Sequence, residues 1–294
     1  MTKISIGLIS LAAAALVVAP VGAVFYAAMG PSFTKLFKVP ETGPGIGLVK
    51  VEGTISESET AVRHLKSLDK NSRVKGILVR VNSPGGGVAA SHEIYREIVR
   101  IRDKGTPVVV SMGAVAASGG YYIACPADVI VANPGTMTGS IGVIMQLPIV
   151  EELMDKVGLE VETIKSEEHK DIGSPFRKMT AGDRELLQDV ILDVYNQFTA
   201  IVLEERNIEK DKLMALADGR ILTGRQAYEA GLVDTLGTLE DAKRICGERA
   251  GIRGDPKIIT PPKRIKSWIT DLMEGVAQKT LGVSRFPTLS YIWQ

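Results

Sequence analysis

Residues 79–123, VRVNSPGGGVAASHEIYREIVRIRDKGTPVVVSMGAVAASGGYYI, decide the fold. A β-branched run ends in three consecutive glycines, an amphipathic helix follows, and a second β-branched run ends in Ala116-Ala-Ser-Gly-Gly120. Glycine tolerates positive φ and lets another backbone approach closely. A glycine-rich turn from strand to helix also leaves the first N–H groups of the helix unpaired and aimed outward. The first turn therefore offers hydrogen-bond donors, and the second presents the hydroxyl of Ser118 between residues too small to cover it.

The pattern continues on both sides. Ile46–Glu52, Val74–Val81, Val108–Ser111 and Val129–Ala132 read as strands from their β-branching and alternation. Helices are predicted at Ala61–Leu68, at Val88–Lys104 with Ile94, Ile98 and Ile101 on one face, from Ser118 onward, and at Ile149–Val157. Extended segments are expected at Ser140–Leu147 and Val161–Lys165. Thr180 with Asp183 fits a helix N-cap, and the helix that follows carries Leu187, Val190, Ile191, Val194, Phe198, Ile201 and Val202 on one stripe, the mark of a core or subunit contact. A turn-rich stretch over 218–234 leads to a last helix near Leu239–Ala250. Strands alternating with helices imply βαβ units and a largely parallel sheet.

The flanks differ in character. Residues 4–29 carry no charge, long enough to cross a bilayer. The run exceeds the apolar core of an ordinary cleaved signal peptide, so residues 1–30 are expected to be a transmembrane signal anchor, with a cleaved leader as the alternative. Residues 31–45 read as a linker, 46–250 as the soluble domain and 251–294 as an amphipathic tail. In that tail, Ile265, Trp268, Ile269, Leu272, Met273 and Val276 form a stripe beside Lys263, Arg264 and Lys266. It suits a membrane surface or a subunit contact equally well. The run Phe286–Gln294 has two readings, a packed subunit tail or an occupant of a substrate groove, and packing is the expectation.

Composition narrows the chemistry. The 294 residues carry a formal net charge of +1, unlike the basic footprint of a nucleic-acid binder. The two cysteines, Cys125 and Cys246, form no CxxC motif, so no disulfide framework is expected. The three histidines, His64, His92 and His169, show no metal-ligand spacing, so neither a metal site nor another cofactor is expected. What remains is nucleophilic catalysis by Ser118, a weak nucleophile until a base takes its proton, with backbone donors for the charge that then develops on the substrate oxygen. Gly119 follows the serine, and Gly85 or Gly86 stands in the neighbouring turn. Turns at the carboxyl ends of consecutive parallel strands share one edge of the sheet, where ligands bind. The base is not legible from these residues alone: no histidine is well placed, and many lysines compete.

Four stretches, Asn82-Ser-Pro-Gly-Gly-Gly87, Ala116-Ala-Ser-Gly-Gly-Tyr-Tyr122, Thr138-Gly-Ser-Ile-Gly-Val143 and Lys165-Ser-Glu-Glu-His-Lys-Asp-Ile172, resemble the signal peptide peptidase A (protease IV) family of bacteria and archaea. So do Asp218-Gly-Arg, Thr223-Gly-Arg-Gln-Ala and Gly231-Leu-Val-Asp234, and the likeness runs over residues 46–250 in the manner of the short, single-domain form. The resemblance implies a crotonase-like, Clp-protease-like α/β ββα superhelix behind an N-terminal transmembrane helix. It implies Ser118 as nucleophile, Lys170 as general base, Ser140 orienting that lysine, and Gly85 and Gly119 forming the oxyanion hole. It further implies cleaved signal peptides and other hydrophobic peptides as substrates, and a ring-shaped homo-oligomer. The protein would be a single-pass protein of the cytoplasmic membrane, with its catalytic domain on the extracytoplasmic side. Two rivals follow from the same residues, an acyl-CoA enzyme of the crotonase type and an inactive membrane scaffold. Lys170 needs to be unpaired to accept a proton, and neighbouring Asp171 is expected to point away because the segment reads as extended.

Overall fold

A computed structural model describes residues 43–262 and 290–292. The apolar run 4–29, the linker up to residue 42 and the stripe 265–276 lie outside the described residues. The described chain begins with β1 (Gly45–Glu52), α1 (Glu59–Asp69), β2 (Val74–Ser83), the short β3 (Gly85–Gly87) and α2 (Val88–Asp103). Next come β4 (Val108–Ala117), α3 (Gly119–Ala124), β5 (Val129–Ala132), β6 (Met137–Gly139) and α4 (Glu151–Lys156). A 3-10 turn at Glu168–Asp171 precedes α5 (Ala181–Glu205) and α6 (Lys210–Leu216). The last elements are β7 (Ile221–Thr223), α7 (Gly224–Ala230), β8 (Thr235–Leu236), α8 (Leu239–Arg249), β9 (Lys257–Ile259) and β10 (Ser290–Ile292).

The sheet runs in the order β7-β6-β4-β2-β1-β9, with β5 and β8 branching from β4. Every pairing in it is parallel except β6 with β7. Parallel strands need both faces covered, which is why they read as nearly continuous apolar runs. Alternation then sorts each side chain to a face. Ile77, Val79 and Val81 of β2 and Val108, Val110 and Met112 of β4 join the larger core with Ile94, Ile98 and Ile101 of α2. Leu78 and Val109 point the other way, onto Ala242 and Cys246 of α8. Cys125 and Cys246 are both buried and free.

Three local expectations differ. β4 runs on to Ala117, six residues past the expected end, because Asn82 Oδ1 accepts from the Val115 N–H (3.2 Å) and β6 pairs with Val115–Ala117. Ser140–Leu147 opens on a φ of +50° at Ser140 that no extended segment allows, and among the described residues it forms no ladder, only a bridge at Ile144. Val161–Lys165 is irregular and exposed, with Ile164 94% accessible. That last segment belongs to a poorly covered arm, since eleven of the fourteen exposed large hydrophobics among the described residues fall between Ile144 and Leu192.

By length and composition α5 is the one described helix apolar enough to cross a membrane. Its C-terminal half buries Val194, Phe198 and Val202 in the core instead, with Phe198 edge-on to Tyr122 at 5.0 Å between ring centroids. Its N-terminus is closed by a capping box. Thr180 Oγ1 accepts from the Asp183 N–H (3.1 Å), and Asp183 Oδ2 accepts from the Thr180 N–H (3.1 Å).

Candidate active site

Among the described residues only two non-glycines hold positive φ, and they are Ser118 (+53°) and Ser140 (+50°). Such backbone costs on the order of 1–3 kcal/mol and persists only where surrounding structure imposes it. At Ser118 the imposing contacts are explicit. Its N–H donates to Gly139 O (2.8 Å) across the β4–β6 edge, and its carbonyl accepts from the Tyr122 N–H (2.8 Å), which starts α3. The serine thus sits at a sharp strand-to-helix corner, 1% exposed, with an Oγ that has no hydrogen-bond partner. A buried hydroxyl without a partner is costly, and at a strained corner it marks a group kept ready for another molecule.

The two glycine-rich turns are in contact. A Cβ on Gly120 would stand 2.7 Å from the Ser83 carbonyl oxygen, so only glycine lets α3 close onto the turn after β2. Gly85 has φ +101°, a conformation reserved to glycine. Its N–H donates to Ser83 Oγ (3.1 Å), while its carbonyl accepts from the Ile55 N–H (2.8 Å) and Gly87 N–H donates back to Ile55 O (2.8 Å). Gly119 opens α3, where the first N–H groups have no intrahelical acceptor. Ser83 was not singled out in the sequence. A serine two residues before a turn glycine commonly accepts from that glycine's N–H, and this was the available signal. Ser83 Oγ thus occupies the Gly85 N–H.

Ser140 follows β6, its N–H donating to Arg220 O (2.8 Å). It is 7% exposed and borders a cleft of about 460 Å³ walled by Val143, Ile144, Ile191, Tyr195 and Ala217. Ser118 and Ser140 are therefore joined through a single hydrogen bond, Ser118 N–H to Gly139 O. Lys170 is elsewhere: it is exposed on the 3-10 turn and, among the described residues, makes no ion pair. It does not hydrogen-bond Ser118, whose Oγ is free. Asp171 does point away from it, though not because the segment is extended. Its carboxylate is taken by Arg177 (2.8 and 2.9 Å) and Lys165 (2.7 Å), which hold it below the usual carboxylate range, Arg177 foremost.

The histidines do not supply a base in this fold. His92 Nδ1 lies 2.8 Å from Tyr122 Oη, and burial, helped by Arg96, keeps its pKa below the ordinary histidine value. His169 is exposed beside Lys170, and His64 lies on α1, away from β4.

One further contact concerns the groove. β10 pairs antiparallel with β3, Ser290 opposite Gly87, Tyr291 opposite Gly86 and Ile292 opposite Gly85. The end of the chain thus lies as an extended backbone on the glycine strand of its own chain.

Comparison with known proteins agrees with this architecture. The model of peptidase family S49 matches residues 100–253, and the Clp protease model matches residues 48–138. A putative protease of Synechocystis is 42% identical over 212 residues, covering 71% of this chain and 76% of that protein. A putative signal peptide peptidase of Enterococcus faecium is 41% identical over 60% of this chain and 52% of its own length. The chloroplastic serine protease SPPA of Arabidopsis thaliana is 32% identical over 81% of this chain but only 36% of its own.

Proposed function

The chain belongs to peptidase family S49 and is a serine protease, and from that premise we propose that it is a membrane-anchored endopeptidase that degrades remnant signal peptides and other apolar peptides. Ser118 is the nucleophile and Lys170 the general base. The observation that carries the reading is Ser118 itself, a buried hydroxyl without a partner, held at positive φ against a second glycine turn. A serine there for packing alone would have relaxed its backbone or satisfied its hydroxyl.

The chemistry follows the triad logic with an amine in place of imidazole. Neutral Lys170 takes the Ser118 Oγ proton as Oγ attacks the scissile carbonyl. The oxyanion is met by the Gly119 N–H and, once Ser83 Oγ gives it up, by the Gly85 N–H. Collapse breaks the C–N bond, and the protonated lysine hands its proton to the leaving amine. Water then enters, loses a proton to the Lys170 amine and attacks the acyl carbon; collapse breaks the ester C–O bond, and the lysine returns the proton to Ser118 Oγ as the carboxylic product leaves. Ser140, next to Gly139, orients the lysine.

In a single chain Lys170 stands in solvent on an arm rich in exposed apolar side chains. We place it at Ser118 through assembly, with the arm of one copy laid on the Ser140 cleft of the next. A ring-shaped homo-oligomer supplies such a head-to-tail contact. The substrate enters as an extended strand on Gly85–Gly87, the geometry that β10 adopts. An apolar leader would put the ring on the cytoplasmic membrane as a single-pass protein, with the catalytic domain on the extracytoplasmic side.

Complementation tests both parts. Ser118→Ala and Lys170→Ala should each abolish cleavage of a signal peptide in detergent. Equal mixtures of the two chains should recover about a quarter of wild-type turnover, since a site needs its serine from one variant and its lysine from the other. Near-normal turnover in either single variant sinks the dyad. Inactive singles with an inactive mixed oligomer sink only the supply of lysine by a neighbour.

A further inference from the structure

The 3-10 turn that carries Lys170 has no buried residue of its own, and its neighbours Ile164 and Phe176 are exposed. Packing does not set its position. Polar groups do, and they converge on one arginine. Arg177 Nε and Nη2 donate to both oxygens of Asp171 (2.8 and 2.9 Å), the fork-on-carboxylate geometry that fixes direction as well as distance. Arg177 Nη1 reaches Asp183 Oδ2 at 2.5 Å, and Asp183 is 3% exposed in the capping box of α5. Lys165 closes the other side, with Nζ 2.7 Å from Asp171 Oδ1 and 2.7 Å from Glu168 O. The Asp171 backbone completes the turn by accepting from the Ser174 N–H (3.0 Å).

Resting on the reading of Lys170 as the base, we propose that Arg177 is a positioning residue for catalysis, fastening the Lys170 turn through Asp171 to the Asp183 cap of α5. The helix is anchored in the core by Val194, Phe198 and Val202, so the base is presented from a rigid element although its own turn is bare. The same fork occupies the carboxylate next in sequence to Lys170. It leaves the amine without an adjacent anion to pair with, which a base that accepts a proton requires. Arg177 touches neither substrate nor reacting atoms.

The test uses the full chain in detergent micelles, a fluorogenic apolar peptide, and the rate at which a small fluorophosphonate labels Ser118. Arg177→Ala should lower kcat and the labelling rate together by about 10²-fold, the cost of a misplacement near 1 Å, while KM stays within about twofold. Arg177→Lys, which restores the charge but not the fork, should recover only part of the loss. Asp171→Asn should act in the same direction, which keeps the test open if the alanine variant folds poorly. In a Lys170→Ala background, where peptide cleavage is abolished, Arg177→Ala should leave the residual fluorophosphonate labelling rate unchanged. Unchanged kcat in both Arg177→Ala and Asp171→Asn overturns the proposal, as does a rise in KM with kcat preserved. A full additional loss in the Lys170→Ala background overturns it too, because Arg177 would then act independently of the lysine. Wild-type turnover in Lys170→Ala alone removes the dyad reading, and this positioning role with it.

Discussion

Gly120→Ala separates stability from chemistry in this fold. The new methyl carbon would sit 2.7 Å from the Ser83 carbonyl oxygen and 3.5 Å from Val81 Cγ1. The second distance is ordinary contact. The first must open by roughly 0.8 Å, because attractive contact between nonbonded heavy atoms begins near 3.5 Å. Both partners at that contact are backbone, so relief means moving the Ser118 corner off the Gly85 turn. Overpacking of this kind costs about 1–3 kcal/mol. Alanine in place of glycine within α3 returns about 1 kcal/mol through helix propensity. The net is about 0–2 kcal/mol, or a fall in Tm of less than about 8 °C for a domain of this size. Catalysis has no such offset. Separating the nucleophile from an oxyanion donor by a fraction of an ångström to 1 Å costs about 10–10²-fold in kcat. The assay is kcat and KM on an apolar peptide beside a thermal melt, with Gly135→Ala as control, where a Cβ meets nothing nearer than 3.7 Å. A Gly120→Ala enzyme with kcat within twofold of wild type would show that the two turns are not halves of one site.

Other outcomes follow from the same geometry. Gly86→Ala drives a Cβ to 2.6 Å from the carbonyl carbon and 2.7 Å from the nitrogen of Ile55, so β3 must lift from residue 55 and lose two backbone bonds of 2.8 Å; kcat/KM should fall about 10²-fold with the fold retained by circular dichroism. Ending the chain after Gly282 removes β10 and bares Gly85–Gly87, so the KM for an extended peptide should fall, and an unchanged KM would mean that β10 does not occupy the substrate strand. Asp183 is held down at about 2, first by Arg177 and then by the Thr180 N–H, from an ordinary value of 3.8. A depressed carboxylate stabilises above its unfolded pKa and loses that contribution as pH falls through its folded one. The Tm gap between wild type and Asp183→Asn should therefore hold from pH 8 to about 5 and close between about 4 and 2; a gap closing near pH 6 would point to another group.

Much of the scaffold was legible because each element states its reason locally. Val129–Ala132 is a strand at the residues its β-branched run predicts, and Thr180 closes the capping box that its spacing to Asp183 suggests. Ser118 was legible too, from the small residues around it. Where reading failed, the deciding partner was distant or absent. β4 reaches Ala117 because of Asn82, far off in sequence, and Ser140–Leu147 forms no ladder among the described residues, with a single bridge at Ile144. Lys170 is the clearest limit. In composition it is one solvated lysine among many, and only the family resemblance singles it out. The ion pairs that place its turn join Lys165, Asp171, Arg177 and Asp183, charges that each look like ordinary surface when taken singly.

Strain at the two serines has a common support, and it explains why β6 exists at only three residues. β6 runs parallel to Val115–Ala117 on one side and antiparallel to β7 on the other. Its last residue accepts the Ser118 N–H, and the next residue, Ser140, donates its own N–H to Arg220 just before β7. Thr138 Oγ1 adds a bond to Ala116 O at 2.7 Å, locking the strand beside the nucleophile. Strain at Ser118 is thus held through β6 by the turn Asp218–Arg220, where Asp218 Oδ1 caps the Arg220 N–H at 3.0 Å. A loosened 218–220 turn should act on the nucleophile without touching it, because positive φ at Ser118 survives only while β6 is pinned from its far side. The backbone of Ser140 is therefore part of what holds the strained corner at Ser118.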